Sequence, residues 1–251
     1  MEHTMRLLMQ LHRGNRRQGP GSTRSTQLAL TLSQLSNKHR LAIADIGCGT
    51  GMQTRVLATH LRGHITAIDL FPEFLARLES RLNDLPNKSA LVETKVASMD
   101  DLPFARESLD LIWSEGAIYN MGFSRGVAYW KDFLRTGGIL AVSEITWSTA
   151  KRPQEIHDFW KKEYPEIATA SEKIAILEAN GFEVLGYFLL PESDWMVSYY
   201  EPLLRSHRAF LKNFGKEPIA QEIVQMDEQE VALYQKYHDY YSYGFYVACK
   251  R

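Results

Sequence analysis

Residues 43–54 read IADIGCGTGMQT: an apolar run, an acid at Asp45, then glycines at 47, 49 and 51. Glycines spaced this way after a strand allow left-handed turns and let a ligand lie against bare backbone. Further acids follow at intervals: Asp69 ends ITAID, Asp100 and Asp101 fall in SMDDLPF, Glu115 in WSEG and Glu144 in ILAVSEITW. Turns of this kind commonly hold phosphate at a helix N-terminus, yet a carboxylate two residues before the first glycine repels one. A P-loop requires GxxxxGK[ST], and no lysine follows these glycines. A dinucleotide fingerprint requires Gly or Ala at its sixth position, where Met52 stands. A ligand that lacks phosphate and carries positive charge removes the conflict.

S-adenosylmethionine is such a ligand, with both an ammonium and a sulfonium, and Asp45 is placed to accept from the ammonium directly or through water. DIGCGTG together with Asp69, 18 residues after Gly51 (69 − 51), resembles the first two cofactor motifs of class I S-adenosylmethionine-dependent methyltransferases. SMDDLPF resembles the third, and WSEGAIYNM and the Gly-Gly pair before ILAVSEITW also match. The resemblance covers roughly residues 40 to 146 and is closest to the small-molecule, ubiquinone-biosynthesis-like branch. RQGPGS (17–22) resembles a segment that closes over the cofactor in that branch.

The resemblance implies a cofactor set of Asp45, Gly47, Cys48, Gly49, Thr50, Gly51, Gln53, Asp69, Leu70, Met99, Asp100, Ser114 and Glu115. In the family the acid at Asp69 takes the ribose hydroxyls. The acid at Asp100, with Asp101 as the alternative, bonds the adenine amino group, and Met99 flanks the ring. Methyl transfer is an in-line displacement, so positioning supplies much of the rate. A general base is needed only if the acceptor is protonated at neutral pH. Glu115, Tyr119, Glu144 and His157 are the candidates for that chemistry; His157 also reads as a solvated helix position. The Asn/Asp-Pro-Pro-Tyr sequence of amino-directed DNA methyltransferases is absent, as is the Pro-Cys of cytosine C5 chemistry. Cys48 therefore reads as a small packing residue and Cys249 as core.

Positioning these residues requires strands alternating with helices. Strands are expected at 41–45, 64–70, 90–97, 109–116, 139–147, 182–191 and 243–250, and helices at 25–36, 52–63, 71–84, 126–138 and 170–181. This alternation predicts an α/β fold: a Rossmann-like, doubly wound, seven-stranded sheet, mostly parallel, with helices on both faces. The last strand is expected to be antiparallel, inserted beside its predecessor after a helical excursion over about 191–240. The expected organisation is an N-terminal helical lid (1–38) and a methyltransferase domain (39–251).

The 251 residues are 45% hydrophobic and 24% charged, with a formal net charge of -1. That balance disfavours a dedicated nucleic-acid binder, although Arg13, Arg16, Arg17 and Arg24 cluster as a solvated or lid-closing face. No run approaches ~18 apolar residues, so no membrane span is expected. The N-terminus reads as mature protein rather than a signal peptide. The two cysteines have no metal-ligand spacing, so no metal is expected and a reducing, cytoplasmic setting fits.

The expected activity is methyl transfer from S-adenosylmethionine to a small organic acceptor. An RNA or protein acceptor, or a non-catalytic binder of S-adenosylmethionine, are the alternatives; a nucleotide-binding oxidoreductase is disfavoured by Met52 and Asp45. The acceptor pocket is expected from segments added to the sheet: residues 10–26, 147–167 and 192–210. Trp147, His157, Tyr199 and Arg205 are the candidate wall residues, whereas the Tyr234, Tyr237, Tyr240 and Tyr241 stripe reads as packing.

Overall fold

The computed structural model describes residues 2–35 and 40–251, so the expected boundary at 38/39 lies outside the described residues. The strands are β1 (Leu41–Ile46), β2 (Gly63–Asp69), β3 (Ala90–Val96), β4 (Leu109–Glu115), β5 (Leu134–Trp147), β6 (Ala168–Thr169), β7 (Phe182–Leu189) and β8 (Tyr241–Lys250). They form one eight-stranded sheet in the order β3-β2-β1-β4-β5-β8-β7, with the two-residue β6 pairing β5 off this path. β1 to β5 run parallel, and β8 inserts antiparallel between β5 and β7, as the sequence predicts.

Two apolar layers sandwich the sheet, which is why its central strands are near-continuous hydrophobic runs. On one face α5 (Phe123–Trp130) and α7 (Ala170–Ala179) bury Phe123, Val127, Trp130 and Leu177 against Ile112, Leu140 and Tyr246. On the other, α2 (Thr23–Ser33) and α3 (Met52–His60) bury Ala29, Leu57 and Ala58 against Ile43, Leu111 and Val247. Local signals set the helix ends. The Ser22 hydroxyl caps α2 by accepting from Ser25 N at 3.2 Å, and Pro72 opens α4 (Pro72–Asn83). Thr169 and Glu172 form a capping box on α7.

Residues 126–138 are not one helix, as their periodicity predicts. α5 ends at Trp130, a short 3₁₀ turn follows, and β5 begins at Leu134 opposite Leu109. The register then jumps, with Leu111 opposite Ile139, so Arg135–Gly138 bulge from the ladder around Gly137 at φ 78°.

α6 (Gln154–Glu163) lies apart, before β6, and between β7 and β8 the chain forms the helical excursion: α8 (Glu192–Trp195), a π-helical turn (Met196–Tyr200), α9 (Glu201–Phe214) and α10 (Pro218–Tyr237). The N-terminal α1 (Glu2–His12) packs on this insertion rather than on the sheet: Leu7 and Leu11 meet Leu203, Phe210, Ile223 and Val224. A second aromatic cluster joins Trp147, Trp195, Tyr200, Tyr234, Tyr237 and Tyr241, so most of the tyrosine stripe is packing. No described helix is long and apolar enough to cross a membrane.

Candidate active site

The glycine turn lies at the carboxyl end of β1, where open α/β sheets bind ligands. Gly47, Gly49 and Gly51 all have positive φ. A Cβ on Gly47 would stand 2.5 Å from that of Ala117, and one on Gly49 would collide with the Gln18 side chain. Bare backbone is therefore required by close approach as well as by conformation.

A cavity of about 440 Å³ opens beside this turn. Its walls come from the carboxyl ends of the first four strands and from residues 17–20, which cross over it as a strap. Nine of the thirteen expected cofactor residues line it: Gly47, Cys48, Gly49, Gln53, Asp69, Leu70, Met99, Asp100 and Glu115. Asp45, Thr50, Gly51 and Ser114 lie behind the wall.

Asp45 is fully buried, accepting from Thr54 Oγ1 at 2.6 Å and from Gln53 Nε2 at 3.5 Å. Burial pushes its carboxyl up to about 7, against the pull of the two donors. Gln53, which also donates to the Cys48 carbonyl at 2.9 Å, carries this contact to the cavity surface. Asp69 accepts from Gly49 N at 2.8 Å and Phe71 N at 3.0 Å, so it fixes the glycine turn as well as facing the cavity. Its carboxyl is raised by burial. Asp100, rather than Asp101, reaches the cavity; Ser98 Oγ donates to it at 2.5 Å and holds its carboxyl below the ordinary range, with Arg125 at 3.8 Å. The Met99 carbonyl is fixed by Trp130 Nε1 at 2.9 Å. Ser114 is buried, and its hydroxyl has no partner among the described residues.

Glu115 is held on every side. Arg17 Nη1 donates to Oε2 at 2.6 Å, while Thr26 Oγ1 and Trp113 Nε1 donate to Oε1 at 2.7 and 3.0 Å. The ion pair is buried, its side chains 8% and 5% exposed. It latches the strap to the end of β4. A second tether is Gln18, whose Oε1 accepts from Thr50 N at 2.8 Å. A third is Thr50, whose hydroxyl donates to the Arg16 carbonyl at 2.8 Å. Arg81 adds a fourth, donating to the carbonyls of Thr50 at 2.8 Å and Asn15 at 3.1 Å.

The other expected residues separate. Tyr119 lines the cavity, is 40% exposed, and meets Tyr164 edge-on with ring centroids 6.2 Å apart. Glu144 is buried away from the cavity, 3.4 Å from Lys173 Nζ and beside Tyr164, and its Oε2 meets no partner within ordinary hydrogen-bond geometry among the described residues. Burial raises its carboxyl to about 7, opposed by Lys173. Trp147 belongs to the aromatic cluster, His157 stacks on it from outside, and Arg152 stands 4.1 Å over the Trp147 ring. Tyr199 stacks on His12. Arg205 is exposed on α9, beside a different hollow. Of the three segments expected to shape the acceptor pocket, only 10–26 lines this cavity. The sequence reading missed Phe71, Asn120 and Arg125 on its wall; their only signal is adjacency to the motifs.

The donor set fits S-adenosylmethionine. Acceptors dominate the walls, and the two cavity arginines, Arg17 and Arg125, each already face a carboxylate. Such a surface suits a ligand bearing ammonium, hydroxyl and amino donors and is poorly suited to pyrophosphate.

Comparison with known proteins agrees. Residues 44–142 match the family described as "Methyltransferase domain", a span that holds Asp45, Asp69, Asp100 and Glu115. "Trans-aconitate 2-methyltransferase" of Escherichia coli O1:K1 / APEC is 26% identical over 227 residues, covering 86% of this chain and 82% of its own. "O-methyltransferase rstn1" of Aspergillus nomiae is 26% identical over 159 residues, covering 61% and 69%. A Geobacter sulfurreducens S-adenosylmethionine-dependent methyltransferase, solved with S-adenosylhomocysteine, superposes with TM-score 0.81 at 18% identity, covering 98% of each chain. The [4+2]-cyclase SpnF superposes with TM-score 0.73 at 21% identity, covering 98% and 93%. At these identities the structural likeness shows the fold alone. The fold is the Rossmann-like fold of S-adenosylmethionine-dependent methyltransferases, and residues 44–142 match a methyltransferase domain. The protein is an S-adenosylmethionine-dependent methyltransferase, and its cofactor is S-adenosylmethionine.

Proposed function

We propose that the protein methylates a small organic acceptor that meets the cofactor beside Tyr119. The strap carries this reading. A cavity of about 440 Å³, in the range of small-molecule sites, is roofed by residues 17–20 and latched by the buried Arg17–Glu115 pair. A macromolecular acceptor would need that roof removed. The two relatives above, named for a small acid and for O-methylation, support the same class.

Within this reading Asp69 holds the ribose hydroxyls, Asp100 the adenine amino group, and Gln53, backed by Asp45, the ammonium end. The bound cofactor supplies an electrophilic methyl on a sulfonium. The chain's own contribution is alignment and exclusion of water by the strap. Tyr119 is the acceptor-side group open to the cavity. Glu115, with both oxygens engaged, keeps the strap closed rather than taking a proton. Glu144 stays a buried proton holder one layer behind, beyond Tyr119 and Tyr164. A cytoplasmic location is part of the proposal, supported by the unpaired Cys48 and Cys249.

The test supplies methyl-labelled S-adenosylmethionine with a panel of small carboxylic acids, phenols and amines, and in parallel with bulk RNA and protein. Label in a low-mass product supports the reading. Label confined to RNA or protein overturns it.

A further inference from the structure

The strap has two sides, and only one faces the cofactor cavity. Against its outer side lies a second hollow of about 640 Å³, reached by Arg16 next to the strap, Arg24 at the start of α2 and Arg205 on α9. Arg16 and Arg24 are exposed and make no ion pair among the described residues. Arg205 has only an exposed contact to Glu201, one turn away at 3.4 Å. Arg17 offers this hollow no charge, because its guanidinium turns inward to Glu115. The positive field continues next door. Arg81 is held below its ordinary value by burial, then by Arg77, Arg55 and Arg16.

Solvated arginines alone would not need the rest of the surroundings. Met52, Val197 and Pro202 supply an apolar part of its lining, and Val197 is 59% exposed. Thr23 and Arg24 open α2; Ser25 N and Thr26 N are taken by the Ser22 hydroxyl and carbonyl, while the amides of Thr23 and Arg24 meet no acceptor among the described residues. The helix dipole adds positive potential there. Three guanidinium forks, free amides and a partly apolar lining in one hollow match an anionic head on an apolar body.

We propose that this hollow is a binding site for an organic anion, a carboxylate or phosphate ester with an apolar body, which bridges Arg16 and Arg24 to Arg205. Such a ligand ties the strap and α2 to the α9 cap. The inner side of the same strap carries Arg17 and Gln18, which close the cofactor cavity. Occupancy outside therefore slows opening inside, and the coupling is reciprocal: bound cofactor tightens the anion.

Calorimetric titration of the full chain with phenyl phosphate, benzoate and inorganic phosphate, at constant ionic strength, tests the site. Phenyl phosphate or benzoate should bind at least about tenfold more tightly than inorganic phosphate, because only they reach the apolar part of the lining. Arg24→Ala with Arg205→Ala should weaken that binding at least about tenfold. The lysine pair R24K/R205K should fall between, keeping charge and losing the fork. Stopped-flow release of S-adenosylhomocysteine should slow about fivefold or more with the site filled. Equal binding of inorganic phosphate, unchanged affinity in the alanine pair, or an unchanged release rate overturns the proposal. The anion titration is run without cofactor, so failure of S-adenosylhomocysteine to bind would refute the cofactor reading while leaving the anion result to stand or fall separately.

Discussion

Arg17→Ala removes the one charged donor to Glu115. The two side chains are 8% and 5% exposed, and the guanidinium also donates to Thr26 Oγ1 at 3.3 Å. Removing one partner of a buried ion pair typically costs about 3–5 kcal/mol, since the other charge is left uncompensated. Glu115 keeps Thr26 and Trp113 as donors at 2.7 and 3.0 Å, and it borders the cavity, where water can reach it. The low end, about 3 kcal/mol, is therefore expected. Adding Glu115→Gln to the Ala variant removes the stranded charge and should recover about 1–2 kcal/mol of that loss. Urea unfolding at pH 7.5 gives both values. Titration with S-adenosylhomocysteine should show affinity falling at least about tenfold in the single variant, because the roof is no longer latched. A loss under about 1 kcal/mol with unchanged affinity would refute the latch. Strictly additive losses in the pair would also refute it, since partners in contact must couple.

Asp69→Ala should weaken S-adenosylhomocysteine binding by about 2–3 kcal/mol, the scale of hydrogen bonds to a charged group; parent-like affinity in calorimetry would remove Asp69 from the ribose site. Gly51→Ala forces a side chain into the left-handed region at φ 81° and into overlap with Leu78. It should cost at least about 2 kcal/mol in urea unfolding, and a neutral result would contradict the turn geometry. Glu144, raised to about 7 by burial, holds a proton in the folded state that the unfolded chain releases from its ordinary value of 4.5. Its contribution thus falls as pH rises from about 4.5 to 7 and levels off above. His12, lowered to about 4 by burial, acts with the opposite sign, so the comparison is parent against Glu144→Gln. Between about pH 4.5 and 7 the stability of the glutamine variant should fall less, or rise more, with pH than that of the parent, and identical slopes would refute a buried proton on Glu144.

Motifs set by backbone chemistry were legible in the sequence. The alternation of apolar strands and helices, the glycine turn and the strand-end acids each follow from local rules, and they place Asp69, Asp100 and the turn on one cavity. An antiparallel last strand beside its predecessor was expected as well, and β8 pairs antiparallel with both β7 and β5. Contacts between distant segments were not legible. Nothing in RQGPGS says that Arg17 pairs with Glu115 across 98 residues, or that Gln18 caps the Thr50 amide. Asp45 was read as accepting from the ammonium directly or through water, and Gln53 and Thr54 stand around it. Trp147 and His157 carry the composition of a pocket wall, yet the aromatic cluster buries the one and stacks the other on it. Residue types alone do not distinguish those two environments.

The most direct test of the central claim is mass spectrometry after incubating the protein with methyl-labelled S-adenosylmethionine and a fractionated metabolite extract. The account predicts a labelled product of low mass, formed together with an equal amount of S-adenosylhomocysteine. It also predicts that the product is lost in the Asp69→Ala variant. Label found only in macromolecules, or cofactor bound tightly with no label transferred to any fraction, would contradict it.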